Sequence, residues 1–411
     1  MSRGLQLGVA LDGAGWHPAG WRDAEARPAE LFDGAYWAEL ARTAEDAGLD
    51  LLTIEDQLGL QGGIFDDVDP GVTSEVRGRL DAVLLANWLA PLTARIGLVP
   101  TVQTTHTEPF HVSTAIATLD FASRGRAGWR PVASAKPSEA AHVGRRSFPA
   151  IRPEDVVAGD LPAALVDRFD EADDAIEVVR RLWDSWEDDA VIRDAATGRY
   201  IDRDRLHYID FEGRFFSVKG PSIVPRPPQG QPIVAVLAHS AVPYRLAARQ
   251  ADVVFVTPHD DAGVGDILAQ VRAEESRAGR AGAPLKVWAD VLVLLEDDET
   301  TAWRELARLD ELVGRPLASD ALVFAGTAEG LARRLATWRA LGVEGIRLRP
   351  ARLPKDLDRI AGAVVPALQR GGLRAPSAPA GEFTLRQRLG LPVAANRYRS
   401  AADQIRSTVA S

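Results

Sequence analysis

The sequence contains 411 residues, carries a formal net charge of −10 and is 46% hydrophobic. This length and apolar content suffice for one large core, and single α/β barrels commonly reach this size. The negative charge argues against a nucleic-acid surface because it repels phosphate. The absence of cysteine excludes disulfides, thiolate nucleophiles and cysteine-ligated metals. We predict a soluble, cytoplasmic protein, since neither a signal peptide nor an apolar run of membrane length is evident.

Short apolar runs alternate with amphipathic segments along the chain, which indicates strands alternating with helices. The predicted strands lie at 5–11, 49–54, 95–102, 127–133, 232–237, 253–256, 285–295 and 345–348. The predicted helices lie at 32–48, 80–92, 109–122, 168–186, 241–251, 263–279, 299–312, 329–341 and 357–369. This alternation implies a parallel sheet, and eight strands are the number that closes a barrel.

We therefore predict a single domain over residues 1–411, an α/β fold of the (β/α)8 TIM barrel type with two additions. The segment of about 184–231 is expected as an insertion. From residue 371 the chain is rich in Ala, Pro and Gly, and we expect a C-terminal arm over about 371–411. We predict that this arm packs on the barrel and contributes to a homodimer or homotetramer, because it regains apolar residues at Leu385, Leu389 and Leu391.

Polar residues at the ends of the predicted strands are candidates for a ligand site, because ligands of parallel barrels lie at the C-terminal ends of the strands. Asp56 follows the second strand, where it could transfer a proton, accept a hydrogen bond from a ring N–H or cap a helix. Thr104 follows the third strand, and its hydroxyl suits either a polar ligand or a turn. His106 lies two residues further on and is a candidate acid or base.

Two further strand ends carry candidate residues. Arg130 ends the fourth strand, where it would face either a charged ligand or an acidic partner. His239 and Ser240 lie between the fifth strand and a helix, so Ser240 could cap that helix or hold an anion at its N-terminus. His106 and His111 are separated by a loop–helix junction, a poor arrangement for metal ligands, and we expect no metal site.

Several stretches spread over nearly the whole chain match one enzyme family. They are 32–51, 118–129, VVRRLWDSWEDDAV at 178–191, HYIDFEGRFFSVKGP at 207–221, AGTAEG at 325–330, VVPALQRGGL at 364–373 and TLRQRLGLPVAANRY at 384–398. In them the sequence resembles the bacterial-luciferase-like flavin-dependent monooxygenases, in the branch of the nitrilotriacetate, EDTA and dibenzothiophene-sulfone monooxygenases. The resemblance implies a (β/α)8 barrel that oxygenates a small organic substrate with O2 and reduced FMN (FMNH2). It also implies that a separate NAD(P)H:flavin reductase supplies the reduced flavin.

The resemblance also implies roles for individual residues. Asp56 and Thr104 match the flavin-contacting Asp and Thr of the family, and Ser240 matches the Ser that holds the FMN phosphate. Arg130 stands where the family usually has Asn, and we expect it to add charge near the phosphate or a substrate carboxylate. His106 or His239 is the expected acid/base group.

Other family positions differ, and they leave two further functions open. Leu165 and Phe169 stand where the family usually has a His and a Tyr, so hydrogen bonds to the flavin are lost. Each neutral hydrogen bond contributes roughly 0.5–1.5 kcal/mol, so their loss weakens FMN binding. The chain could instead be a subsidiary, non-catalytic subunit of a heteromeric monooxygenase, or an oxidoreductase that uses the deazaflavin F420.

Overall fold

The computed structural model describes residues 4–61, 72–151, 162–375 and 383–399. The strands in these residues are β1 (Gln6–Leu11), β2 (Leu51–Ile54), β3 (Gly97–Gln103), β4 (Gly128–Val132), β5 (Val191–Asp194), β6 (Arg199–Ile201), β7 (Phe211–Glu212), β8 (Ser217–Val218), β9 (Ile233–Ala238), β10 (Val253–Val256), β11 (Lys286–Leu295), β12 (Leu322–Gly326) and β13 (Gly345–Pro350).

Nine of these strands form one parallel sheet, in the order β10–β9–β4–β3–β2–β1–β13–β11–β12. Because β10 also pairs with β11, the first eight strands of this order close into a barrel. The ninth, β12, pairs with the second half of β11 outside the closed ring. The predicted (β/α)8 barrel is confirmed, and each of its eight strands overlaps a predicted one.

Helices follow the barrel strands and flank the sheet. They are α1 (Gly34–Asp46), α2 (Ala82–Leu89), α3 (Pro109–Ala122), α4 (Pro137–Val143), α5 (Ala163–Asp184), α6 (Ala241–Gln250), α7 (Asp261–Arg277), α8 (Glu299–Val313), α9 (Ala328–Leu341), α10 (Lys355–Arg359), α11 (Val365–Arg370) and α12 (Leu385–Arg388). A π-helical turn, Ile360–Val364, joins α10 to α11. None of the described helices combines the length and the apolar character needed to cross a bilayer.

Apolar side chains fill the N-terminal half of the barrel interior. The largest is Trp288 of β11, which is fully buried and meets Phe255 of β10 edge to face at 6.1 Å between ring centroids. Gly345 of β13 makes room for the indole, because a Cβ at that position would lie 2.3 Å from the ring. The remaining apolar residues of this floor are Leu51, Val99, Ile233, Ala235 and Val253.

The described part of the C-terminal arm closes the floor of the barrel from outside, as expected. Leu385, Leu389 and Leu391 are buried and belong to the same apolar cluster as Trp288. A capping box starts α12, since Thr384 accepts a hydrogen bond from the backbone of Gln387 and the Gln387 side chain reciprocates. The arm is therefore part of the core.

The predicted insertion lies between α5 and β9 and contains two antiparallel hairpins, β5–β6 and β7–β8. The end of the arm ties this segment down. Asn396 donates through Nδ2 to the carbonyl oxygens of Asp184 and Trp186 at 2.8 and 2.9 Å. Tyr398 stacks on His207 with 4.7 Å between ring centroids. The arm thus connects the barrel floor to the insertion.

Candidate active site

A cavity of about 510 Å³ opens at the C-terminal ends of the barrel strands, and we call it the main cavity. Three predicted site residues line it: Asp56, Arg130 and His239. Thr104 and His106 instead line a neighbouring second cavity of about 260 Å³. Ser240 lines neither of them. The structure thus does not bring the six candidates together in one cavity, and Thr104 and His106 share the second cavity with Glu171 of α5.

The loop after β1 forms one wall of the main cavity. Gly15 has a φ of +116°, and a Cβ there would lie 2.3 Å from the Ala351 carbonyl oxygen, so only glycine permits this close approach. The approach lets the Trp16 backbone N–H donate to the Pro350 carbonyl at 2.8 Å. Trp16 then faces Arg349, whose guanidinium carbon lies 4.6 Å from the ring centroid.

Asp56 is held by backbone donors. Its Oδ1 accepts from the Gln57 N–H at 2.7 Å and its Oδ2 from the Ala82 N–H, the first residue of α2, at 2.9 Å. Burial raises the pKa of Asp56, although both hydrogen bonds oppose that shift. The hydrogen bond to Ala82 shows that Asp56 caps α2, which is one of the roles predicted for it. Its side chain also borders the main cavity.

Arg130 faces an acidic partner inside the barrel. Its Nη2 pairs with Glu55, which directly follows β2, and its Nε donates to the Thr101 hydroxyl of β3 at 3.0 Å. Arg130 is buried, so its charge requires this compensation. The guanidinium is therefore already engaged by protein groups where it borders the cavity.

Arg130 begins a chain of buried ion pairs across the C-terminal half of the barrel interior. Glu55 also pairs with Arg347 of β13 at 3.2 Å, and Arg347 donates through Nε to Asp290 of β11 at 2.8 Å. Asp290 accepts a further bond from Arg349 Nε at 2.9 Å. Burial opposes ionisation of Asp290, but Arg347 and Arg349 hold its pKa below the ordinary value. Charged side chains thus occupy positions that apolar residues usually fill in such barrels.

His239 ends this chain at the cavity surface. Its Nδ1 lies 3.2 Å from the Thr257 hydroxyl and 3.7 Å from a carboxylate oxygen of Asp320, which also pairs with Arg349. Burial lowers the pKa of His239, while the Asp320 carboxylate opposes the shift. The imidazole is therefore neutral near neutrality and able to accept a proton.

His106 lies in a different environment. Its Nε2 is buried and has no hydrogen-bond partner among the described residues. Burial lowers its pKa, and the guanidinium of Arg146 adds to this effect. The ring lies 5.9 Å from that of Phe148, beside the second cavity. The two candidate histidines are thus assigned to separate cavities.

Sequence reasoning missed a polar group formed by Gln103, Ser134 and Glu139. Glu139, on α4, is almost fully buried and its Oε2 accepts from Gln103 Nε2 and from the Ser134 hydroxyl, both at 2.6 Å. These bonds fix the amide so that Gln103 Oε1 is buried without a partner in the described chain. All three residues line the main cavity. Their only signal in the sequence is their position near strand ends, since Gln103 ends β3 and Ser134 and Glu139 follow β4.

Ser240 occupies the N-cap position of α6, as its place in the sequence suggested, yet its side chain makes no capping hydrogen bond. Its backbone carbonyl accepts from the Tyr244 N–H at 3.0 Å, which is the first bond of the helix. The hydroxyl and the first N–H groups of α6 are therefore available to an anion.

Residues 14–346 match the family described as Luciferase-like monooxygenase. N-acetyl-S-(2-succino)cysteine monooxygenase of Bacillus subtilis (strain 168) is 28% identical, over 96% of this chain and 98% of its own length. Nitrilotriacetate monooxygenase component A of Aminobacter aminovorans is 35% identical, over 75% of this chain and 66% of its own length. EDTA monooxygenase from Chelativorans sp. BNC1 has the same fold, with a TM-score of 0.78 at 24% identity, over 95% of this chain and 99% of that one.

Proposed function

We propose that this chain, which belongs to the luciferase-like monooxygenase family and is a monooxygenase, oxygenates a small carboxylate-bearing substrate in the main cavity with O2 and reduced FMN. One observation carries the placement. The main cavity lies at the C-terminal mouth of the barrel and borders a buried acceptor, Gln103 Oε1, that no described protein group satisfies. A buried acceptor of this kind is costly unless a ligand or water pairs with it.

The ring of FMN fits the residues that line this cavity. Val132, Phe169 and Leu237 supply apolar surface for a flat aromatic system, and Gln103 supplies an acceptor for a ring N–H. The cavity volume of about 510 Å³ falls in the roughly 300–1,000 Å³ range of small-molecule sites. Asp56 borders the same space and retains lone pairs for a further donor. When bound, reduced FMN supplies the electrons that activate O2.

We assign the phosphate end of FMN to the N-terminus of α6. Ser240 has an uncommitted hydroxyl there, and the helix dipole favours a negative group beside the first N–H groups. Thr104 is placed on the second cavity, so its proposed flavin contact requires the ligand to extend toward that side. Arg130 contributes positive potential behind the ring rather than a free guanidinium, since Glu55 holds it.

The protein contributes orientation, exclusion of water and proton transfer. The buried ion pairs behind the cavity are fixed dipoles that need no rearrangement during the reaction. His239 is the proposed acid/base group, because it is neutral, borders the main cavity and is oriented by Thr257. His106, on the second cavity, is the less favoured of the two.

The carboxylate-bearing substrate follows from the names of two relatives, which act on N-acetyl-S-(2-succino)cysteine and on nitrilotriacetate. We also propose that a separate NAD(P)H:flavin reductase delivers the reduced flavin.

The test is an oxygenation assay with both compounds. The protein is mixed with each compound, an NADH-dependent flavin reductase, NADH, FMN and ¹⁸O-labelled O2. Mass spectrometry then measures the masses of the products. We expect one labelled oxygen atom per product molecule, dependent on both the reductase and this chain. No product and no substrate-stimulated loss of FMNH2 would favour the subsidiary-subunit function. Turnover with F420 instead of FMN would favour the deazaflavin alternative.

A further inference from the structure

Three carboxylates lie at the adjacent C-terminal ends of β1 and β2, and two of them are committed to protein groups. Glu55 pairs with two buried arginines of the barrel, and Asp56 accepts two backbone N–H groups. Asp12 directly follows β1 and lines the main cavity, and its carboxylate accepts no hydrogen bond from the described residues. Its nearest cation is Arg79, whose Nη2 lies 3.5 Å from Asp12 Oδ1.

Beyond this contact with Asp12, Arg79 has no partner among the described residues. The arginines that line the main cavity are Arg79, Arg130 and Arg349. Arg130 is held by Glu55, and Arg349 is held by Asp290 and Asp320. Arg79, on the segment before α2, makes no hydrogen bond to the described chain, and its Nε is buried without a partner. A buried guanidinium donor without an acceptor is costly, and an anion entering the main cavity would supply that acceptor.

We infer that Arg79 and Asp12 form an anion site in the main cavity, in which Arg79 pairs with a carboxylate of the substrate while Asp12 takes up a proton. The phosphate of FMN is the other anion with this chemistry, and its binding here would replace its assignment to the N-terminus of α6. The inference rests on the proposed function for the identity of its ligands. The guanidinium supplies two or more N–H donors in a fork that matches either oxyanion. A protonated Asp12 would donate a hydrogen bond to the same anion instead of repelling it.

The charged groups around Asp12 favour uptake of a proton by its carboxylate when an anion binds. The groups that face it are Arg79 from the segment before α2, Glu55 and Asp56 from the end of β2, and Arg130 from β4. Burial raises the pKa of Asp12 to about 6, the two carboxylates add to this effect, and the two arginines oppose it. A bound anion beside Asp12 raises that pKa further.

The consequence is a pH dependence of anion binding with a defined sign. If the anion binds only when Asp12 is protonated, its affinity falls about tenfold per pH unit above the pKa of Asp12. Asn in place of Asp12 mimics the protonated form, since it is neutral and can donate a hydrogen bond. The variant should therefore bind the anion with little dependence on pH.

The experiment is titration calorimetry on the whole protein with three probes: succinate, FMN and riboflavin. The variants are Arg79→Gln and Asp12→Asn, and the control is Arg77→Gln, which changes an arginine of the same segment that does not line the main cavity. Circular dichroism confirms that each variant is folded. We expect Arg79→Gln to weaken binding of the anion about 10- to 100-fold, Arg77→Gln to leave it unchanged, and Asp12→Asn to remove the pH dependence.

The probes distinguish the two anions and separate this inference from the proposed function. Weakened succinate binding assigns the site to a substrate carboxylate, whereas weakened binding of FMN but not of riboflavin assigns it to the cofactor phosphate. If Arg79→Gln changes neither, or if Asp12→Asn retains the pH slope, the inference is overturned even where FMN binds well. Failure of FMN and riboflavin alone would count against the proposed function, while an Arg79-dependent succinate signal would still support the anion site.

Discussion

Asp290 is the residue that holds the charged half of the barrel interior together. Its carboxylate is fully buried and binds both Arg347 and Arg349, which are themselves buried. No other carboxylate can take the place of Asp290, because Glu55 also pairs with Arg130 and Asp320 also lies beside His239. The stability of this layer therefore depends on one carboxylate.

We expect Asp290→Asn to lower the free energy of unfolding by about 3–5 kcal/mol, because it leaves two buried cations with insufficient negative charge. Urea unfolding followed by circular dichroism measures this value. Asp297→Asn is the matched control, since Asp297 pairs with Arg359 at 2.7 Å on the exposed surface, and it should leave the midpoint nearly unchanged. A loss below about 1 kcal/mol in Asp290→Asn would show that the layer is held by other contacts.

Asp12 should make the stability of the protein depend on pH. Its folded pKa of about 6 exceeds the ordinary value of 3.8, so the native state binds the proton more tightly than the unfolded state. The stabilisation is fully present below about pH 4 and is lost as the pH rises through about 6. Asp12→Asn avoids this loss. We expect the variant to gain about 1–3 kcal/mol over the native protein at about pH 8 and nothing at about pH 4.

Urea unfolding of both proteins across this pH range checks the expectation. A difference that is constant with pH would mean that Asp12 has an ordinary pKa in the folded state.

The site residues that could be predicted lie near the ends of apolar runs, whereas the residues that were missed lie within a strand. Asp56 and His239 could be placed at the mouth because they lie just after apolar runs, and Arg130 because it lies in the C-terminal part of one. Arg347 and Arg349 were missed because charged residues in a strand usually point to solvent. Arg347 and Arg349 are two residues apart and therefore lie on the same face of β13. Closure of the barrel places this face in the interior, where both arginines are buried.

At the scale of elements, the C-terminal arm contributes to stability through its leucines. Leu385 is fully buried and packs against the floor of the barrel, where Gly97 leaves space for it. We expect Leu385→Ala to cost about 2–5 kcal/mol, because it opens a cavity under the barrel. The neighbouring Phe383 is 48% exposed, and Phe383→Ala should change stability by less than about 0.5 kcal/mol. Equal effects of the two substitutions in thermal unfolding would contradict a role for the arm in the core.

The elements that sequence reasoning missed are short or lie outside the repeating pattern. The seven residues of α4 lie in a stretch for which no helix was predicted, because only Glu139 and Ala140 are buried and no apolar stripe is visible. β12 is half-buried and adds to the outside of a ring already complete with eight strands, so the alternation did not require it. By contrast, each barrel strand is almost wholly buried and was visible as an apolar run.

At the scale of the whole molecule, we predict a homodimer or homotetramer. α2 exposes Leu84 and Trp88 one helical turn apart, and Trp88 lies beside Gly34 at the start of α1, close in sequence to the exposed Phe32. A contiguous apolar patch of this kind suits a contact between subunits. Light scattering at micromolar concentration should give twice or four times the chain mass of 44.3 kDa. A mass equal to one chain would contradict the prediction.

Reduced FMN is proposed to bind in the main cavity, and an anaerobic titration of FMNH2 measures this binding. Tryptophan fluorescence follows binding to the native protein and to Ser240→Ala, which removes the hydroxyl proposed to hold the phosphate. We predict a dissociation constant well below about 1 mM for the native protein, weakened about tenfold in Ser240→Ala. If the native protein binds neither FMN nor FMNH2 below about 1 mM, the main cavity is not a flavin site.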